Sequence, residues 1–157
     1  MYIIYGLIFI FFLTIDQITK YLAVTTLQGN ASIHIIGDFL RFTYVENRGA
    51  AFGILQDKRI FFIISTIILV AFIVYLIFLN KKVTHATKLT LSLILSGAVG
   101  NFMDRVRLGY VIDFIDVRFG DFYDFPVFNI ADSCLVVGTI ILVLLILFNK
   151  FEVSEKI

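Results

Sequence analysis

Residues Ile60 to Leu79 read IFFIISTIILVAFIVYLIFL, twenty positions without a charge, closed by Asn80-Lys81-Lys82. Crossing about 30 Å of hydrocarbon takes about 20 residues of α-helix. The stretch therefore predicts a transmembrane helix, and the whole chain has a matching composition. Of 157 residues, 60% are hydrophobic and 16% charged, with a mean hydropathy of +0.98. A soluble domain carries about 45–50% apolar and about 25% charged residues. The formal net charge of +1 supplies no basic surface for nucleic acid. Cys134 is the one cysteine, which excludes an intramolecular disulfide, a cysteine-based metal cluster and a CxxC redox pair.

Three further stretches predict spans. Residues 2–26 are apolar except around Asp16, Gln17 and Lys20. Residues 87–105 are uncharged from Leu89 to Met103, and residues 127–148 contain Asp132. The expected fold class is an all-α membrane protein, one integral domain over 1–157 with four transmembrane helices at about 2–26, 60–79, 87–105 and 127–148. The first segment lacks a basic flank and a small-residue cleavage site, so it reads as a retained helix rather than a signal peptide. Its Asp16 and Lys20 stand at i, i+4, the spacing that pairs charges on one helix face.

Four spans put both termini on one side, together with the turn Asn80 to Lys88, which holds three lysines and no acid. Lys150 and Lys156 follow in the tail, while Arg41, Arg48, Lys58, Arg59, Arg107 and Arg118 fall on the other side. A raw count does not decide; basic density in short loops does, and it sets the termini in the cytoplasm. The outward loops are then 28–59 and 106–126. The first contains Phe39-Leu40-Arg41-Phe42-Thr43-Tyr44-Val45, strand-like in composition, and then a glycine-bearing turn from Asn47 to Gly53. A small sheet on the membrane surface is expected there. The second mixes Asp with aromatics and suits an interfacial or re-entrant segment.

Nine of the twelve acids (Asp38, Glu46, Asp57, Asp104, Asp113, Asp116, Asp121, Asp124 and Asp132) lie in the outward loops or at outer helix ends. Asp16 approaches the same leaflet from within the first helix. A charge at bilayer depth costs about 2.5–3.5 kcal/mol on insertion scales and usually marks function. In the third span Ser92, Ser96, Gly100 and Asp104 recur every four residues, with Gly97, Asn101 and Arg105 as the adjacent stripe. Small residues let helices approach closely. That leaves Asn101 and Arg105 as site residues at the outer end of a tight seam.

Asp113 lies in the apolar run Tyr110 to Asp116, and Asp132 in the first turns of the fourth helix. Two aspartates brought together in a poorly hydrated site share a proton. One ionised carboxylate then activates water while the protonated one polarises a carbonyl. Asp116 is a rival to Asp113. His34 and His85 fall on opposite sides of the membrane and form no zinc pair, and no HExxH is present. Lys88 and Ser92 have Ser–Lys spacing, but Lys88, at the cytoplasmic edge beside other lysines, reads as a solvated or snorkelling lysine. Cys134 reads as packing. Two other classes stay open: a proton-coupled carrier using Asp16, Asp104 and Asp132, and a non-enzymatic scaffold. The blank Ile60–Leu79 helix argues against the first, and the settings of Asp113 and Asp132 against the second.

The chain resembles the bacterial lipoprotein signal peptidases, the type II signal peptidases. The matching pieces are Asp16-Gln17-x-Thr19-Lys20, Asn47-Arg48-Gly49-Ala50-Ala51-Phe52-Gly53, Gly97 to Arg105, Val111-Ile112-Asp113-Phe114 and Phe128-Asn129-Ile130-Ala131-Asp132-Ser133. Each is weak alone; five in order on a chain of this length are specific. The resemblance implies a membrane aspartic endopeptidase with Asp113 and Asp132 as its dyad. It implies that Asp16, Asn47, Gly49, Asn101, Arg105 and Asn129 line or support the site, with Asp104 structural beside them and the first loop forming a β-cradle. Gly97 and Gly100 are expected as close-packing positions, and Asp16 with Lys20 as the polar floor. Arg48 stands where many members carry Thr, and Ser96 where many carry Gly.

The implied substrates are prolipoproteins whose lipobox cysteine already carries a diacylglyceryl group, cut just before that cysteine. Their acyl chains would lie in membrane lipids while the scissile bond meets the site near the extracytoplasmic face of the cell membrane. No cofactor, no metal and no nucleic-acid partner are implied, and the expected state is a monomer.

Overall fold

The computed structural model describes residues 2–49, 54–120 and 122–153. Ala50 to Gly53 of the glycine-bearing turn, Asp121 and Lys156 lie outside the described residues. In chain order the elements are α1 (Tyr2–Leu27), β1 (Ile33–Ile36), β2 (Leu40–Asn47), α2 (Arg59–Phe78), α3 (His85–Arg107), β3 (Val111–Phe119), β4 (Tyr123–Asp124) and α4 (Ile130–Leu147).

Helix α2 follows from its composition. It has no charge after Arg59, and only Ile73, Leu76 and Ile77 are buried, so side chains such as Ile64, Ile68 and Phe72 are left outside. A soluble protein does not leave an apolar surface of that extent uncovered. Among the described residues three helices, α1, α2 and α4, are long and apolar enough to cross a membrane.

Helix α3 is long, at 23 residues, but falls short in apolarity because it holds the serine, glycine and charged positions of the stripes. It packs against α1, α2 and α4, and Leu91, Ser92, Ile94, Ser96, Gly97, Gly100, Asn101 and Asp104 are buried. Its hydroxyls turn onto its own carbonyls. Thr90 Oγ1 donates to Ala86 O at 2.9 Å, Ser92 Oγ to Lys88 O at 2.8 Å and Ser96 Oγ to Leu93 O at 2.7 Å. A helix walled by protein can carry polar groups that a lipid-facing one cannot.

The sheet is antiparallel in the order β1-β2-β3-β4. Its central pair joins β2 to β3 across two intervening helices. The sheet packs against α1 and α3, with Ala23 and Leu27 of α1 packed on Ile112 and Phe114. Much of the second loop, 106–126, is therefore strand. Its backbone groups are satisfied by β2 and by Phe128, whose carbonyl accepts from the N–H of Ile115 at 2.8 Å.

The register of β2 on β3 changes midway. Phe42 stands opposite Ile115, but Val45 stands opposite Asp113 and Asn47 opposite Val111. One extra residue on β2 makes this bulge; without it Glu46 would face Val111. Bulges re-aim side chains next to sites, and here an amide rather than a carboxylate arrives beside Asp113.

At the other end of the bundle the Tyr5 hydroxyl bonds His85 Nδ1. Thr84 N donates to Phe151 O at 3.0 Å and Val153 N to Lys82 O at 2.7 Å, which ties the segment after α4 to the α2–α3 turn. His34, on β1 in the sheet, and His85 are thus at opposite ends of the fold.

Candidate active site

Two glycines set how closely the helices meet. A Cβ on Gly97 would strike the carbonyl oxygen of Ala131, and one on Gly100 would lie 2.5 Å from Asp16 Oδ2. The α3 backbone therefore touches α1 and α4 directly, and the polar side chains of the three helices converge one turn further on.

Asn129 is wholly buried and lies at the centre of the convergence. It is the N-cap of α4, and its Oδ1 accepts from Asp132 N at 2.8 Å. The Asp132 carboxylate returns the bond, Oδ2 accepting from Asn129 N at 3.1 Å. This reciprocal capping box satisfies two donors that a helix start otherwise leaves open. It also holds Asp132 in one place. The Asn129 Nδ2 faces Asp113 Oδ1 at 2.6 Å, with Ile112 O and Asn101 Oδ1 at 3.2 and 3.1 Å. One side chain thus touches both aspartates.

Each aspartate has a second amide donor. Asn47 Nδ2 donates to Asp113 Oδ2 at 2.9 Å, and Asn101 Nδ2 to Asp132 Oδ1 at 2.7 Å. Asn47 is itself oriented by the turn, because its Oδ1 accepts from Gly49 N at 2.9 Å. A Cβ on Gly49 would sit 2.6 Å from Ile54 O, so the turn has no room for one. Arg105 Nη2 donates to Gly49 O at 3.0 Å, and its guanidinium lies over the Phe62 ring at 4.6 Å.

Beneath this layer, Lys20 Nζ lies 3.0 Å from Asp16 Oδ2, 2.9 Å from Asp104 Oδ2 and 2.9 Å from Asn101 Oδ1. Asp16 Oδ1 accepts from Ala131 N at 2.9 Å, and Asp104 Oδ2 from Ile112 N at 3.2 Å. Buried charges persist only when paired and hydrogen-bonded, and here every partner is supplied.

Asp113, Asp132, Asn47, Asn101 and Arg105 line a cavity of about 720 Å³. Its other walls are largely apolar, from Val45, Val111, the Phe125–Phe128 segment and Leu135 to Val137 of α4. A cleft that is mostly apolar with a few convergent polar groups is the usual form of a binding site. Burial, reinforced by the charge of Asp132, pushes the Asp113 carboxyl up to about 7, against the opposing bonds from Asn47 and Asn129 and the charge of Lys20. A carboxyl near neutrality can hold or release a proton at working pH.

The structure brings Asp16, Lys20, Asn47, Gly49, Asn101, Asp104, Arg105, Asp113, Asn129 and Asp132 into one connected network. Asp116 is elsewhere. Arg41 Nη2 and Thr43 Oγ1 bond its Oδ2, the latter at 2.9 Å, and Arg118 Nε lies 3.7 Å from Oδ1. Asp16, Asp104 and Asp132 sit together at one end of the helices rather than along them. The Ser92 hydroxyl is committed to the Lys88 carbonyl, while Lys88 is buried rather than solvated, its Nζ over the Tyr2 ring at 5.9 Å. Cys134 is buried.

Two residues with no expected role belong to the site. Gln17 Nε2 lies 3.1 Å from Asp16 Oδ2 and 3.4 Å from Asp104 Oδ1. Its place beside Asp16 in the first matching piece is the one sequence signal for it. Glu46 lines the cavity and pairs with Arg48 at 3.3 Å, while the Arg48 guanidinium lies 5.6 Å from the Tyr110 ring centre. Nothing local in sequence marks that contact.

The signal peptidase (SPase) II family model matches residues 8–148. A lipoprotein signal peptidase of Clostridium tetani is 43% identical over 143 residues, 91% of this chain and 92% of the relative. One of Caldanaerobacter subterraneus is 49% identical over 140 residues, 88% and 92% of the two chains, and one of Staphylococcus aureus 43% over 151, 96% and 91%. A solved structure described as a bacterial membrane enzyme superposes with a TM-score of 0.85 at 42% identity, covering 97% of this chain and 94% of that one. A second superposes at 0.80 and 41%, covering 91% and 92%. With its fold and these likenesses, the chain belongs to the signal peptidase II family.

Proposed function

We propose that the chain is a membrane aspartic endopeptidase that removes the signal peptide from diacylglyceryl-modified prolipoproteins, cutting just before the lipidated lipobox cysteine. The observation that carries this reading is Asn129, which bonds the Asp113 carboxylate through its side chain and the Asp132 carboxylate through its backbone, and both aspartates line one cavity. The names of the relatives supply the substrate class.

Asp113 and Asp132 are the catalytic pair. The ionised carboxylate takes a proton from water as its oxygen attacks the scissile carbonyl. The protonated carboxyl bonds the carbonyl oxygen as negative charge develops there. The tetrahedral intermediate collapses as a proton passes to the amine of the cysteine, and the C–N bond breaks. Asn47, Asn101 and Asn129 hold the carboxylates. Gly49 and Arg105 shape the rim, where Arg105 has N–H donors beyond the one used on Gly49. Asp16, Lys20 and Asp104 form the floor, and Gly97 and Gly100 the close helix contacts.

All four helices cross the membrane. At about 1.5 Å per residue, the 23 residues of α3 reach across the hydrocarbon, and its polar groups face protein. The chain acts as one integral domain and as a monomer in the bacterial cell membrane. Its termini are cytoplasmic, and the sheet and site lie at the extracytoplasmic face. The apolar cavity wall from α4 suits a substrate that arrives laterally, its acyl chains in lipid.

The test is mass spectrometry of the products from purified protein in lipid with a lipidated prolipoprotein. A mature fragment beginning at diacylglyceryl-cysteine supports the reading. Cleavage at another bond, or equal cleavage of unlipidated precursor, overturns it.

A further inference from the structure

The direction of the hydrogen bonds on the aspartates is set by groups that can only donate. The Lys20 ammonium has three hydrogens and no acceptor. They meet Asp16 Oδ2, Asp104 Oδ2 and Asn101 Oδ1 at 3.0, 2.9 and 2.9 Å. The Asn101 atom that faces Lys20 must therefore be the carbonyl oxygen. Its NH₂ is turned the other way, onto Asp132 Oδ1 at 2.7 Å. The second Asp132 oxygen accepts from the backbone N–H of Asn129 at 3.1 Å. Both oxygens of Asp132 thus meet donors that cannot accept in return. Asp132 is also in the first turn of α4, where the helix dipole favours negative charge. The two amides on Asp113 are likewise held as donors, since Asn47 Oδ1 accepts from Gly49 N and Asn129 Oδ1 from Asp132 N; what separates the two carboxyls is that Asp113 lies on β3 with no helix terminus behind it.

We propose that Lys20 is a positioning residue that sets the polarity of the Asn101 amide, and so keeps Asp132 as the ionised member of the pair and leaves the shared proton to Asp113. The proposal rests on the aspartic-pair reading above. The charged groups around Lys20 are Asp16 on its own helix and Asp104 on α3. Those acting on the pair are Lys20 and Asp16 from α1, Arg105 from α3 and each aspartate from the other's element, with Glu46 of β2 lining the same cavity. Burial of Asp113 beside the Asp132 charge acts in the same direction.

Without the ammonium, nothing but Asn129 holds the Asn101 oxygen. The amide can then turn over and present that oxygen to Asp132, which satisfies it only by taking up the proton. The polarity of the pair reverses, and the group that should activate water becomes an acid.

The protein in lipid is measured by infrared spectroscopy at about pH 6, following the carbonyl stretch of protonated carboxyl groups, with cleavage kinetics alongside. Wild type, Asp113→Asn, Asp132→Asn, Lys20→Arg and the charge-balanced Asp16→Asn/Lys20→Met are compared. In wild type the band is expected to vanish with Asp113→Asn and survive Asp132→Asn. In Asp16→Asn/Lys20→Met a band is expected from Asp132, with kcat down by about 10²-fold and KM within about twofold; Lys20→Arg, which keeps the charge and the donors, restores the wild-type band. A band lost in Asp132→Asn but kept in Asp113→Asn overturns the proposal, and so does a double variant whose band and kcat match wild type. If the double variant does not fold, the two aspartate variants and Lys20→Arg decide the matter. A wild type that shows the expected bands but cuts no prolipoprotein sinks the peptidase reading and leaves the Lys20 assignment supported. Cleavage with the opposite bands sinks the assignment alone.

Discussion

Asn47 and Asp113, 66 residues apart, are joined by one hydrogen bond of 2.9 Å from amide to carboxylate. That bond exists because the bulge on β2 puts Asn47 opposite Val111, and because Gly49 turns the Asn47 oxygen away from the cavity. Replacing Asn47 with Ala removes a donor that favours the ionised form of Asp113. The carboxyl should rise further above its present value of about 7. In a pH–rate profile, the alkaline limb of Asn47→Ala should move to higher pH and its kcat should fall by about 10–10²-fold. An unmoved limb would separate Asn47 from the titration.

The same carboxyl links stability to pH. Its ordinary value is 3.8 and its folded value about 7. Between these the folded chain holds a proton that the unfolded chain has released, so stability should be full below about 4 and fall as pH rises through 7. Thermal melts across that range should show the decline in wild type and a shallower one in Asp113→Asn. Equal slopes would contradict the assignment.

The glycine contacts carry a steric prediction. Ala at Gly97 or Gly100 places a methyl against Ala131 or Asp16, while nothing lies within 4 Å of a Cβ on Gly6. Overpacking of this kind costs about 1–3 kcal/mol. Gly97→Ala and Gly100→Ala should lower the melting temperature in lipid, and Gly6→Ala should leave it unchanged or raise it. Three equal melts would mean that the helices slide apart freely.

Asp116 separates fold from chemistry. It is buried and bonded by Arg41 and Thr43. Removing one member of such a pair costs about 3–5 kcal/mol. Asp116→Asn should therefore melt earlier, yet cleave within a few-fold of wild type per folded molecule. Abolished cleavage with an unchanged melt would reopen its rivalry with Asp113.

The helices were largely legible because a bilayer demands long apolar runs, and α2 has no other reading. Helix α3 is the partial case: its polar stripe reveals contact with other helices, but its apolarity alone does not mark a span. Strand β3 was not legible. Val111 to Asp116 is apolar with two acids, and its partner β2 lies beyond two helices, so no local pattern announces the pairing. For the same reason Asp113 and Asp116 could not be told apart. The difference is Arg41, 75 residues away. Asp16 and Lys20 were legible as a pair by their spacing, but their joint hold on Asn101 and Ala131 is a tertiary fact. Gln17 and Glu46 escaped because an exposed and a bridging polar side chain look alike in sequence.

In the proposed reaction Asp113 and Asp132 together cut a lipidated prolipoprotein. The direct measurement is a gel-shift assay with purified wild type, Asp113→Asn and Asp132→Asn in lipid, on substrate with and without its diacylglyceryl group. Cleavage by wild type alone, and only of the lipidated substrate, is the predicted result. Wild-type rates surviving in either folded variant would contradict it.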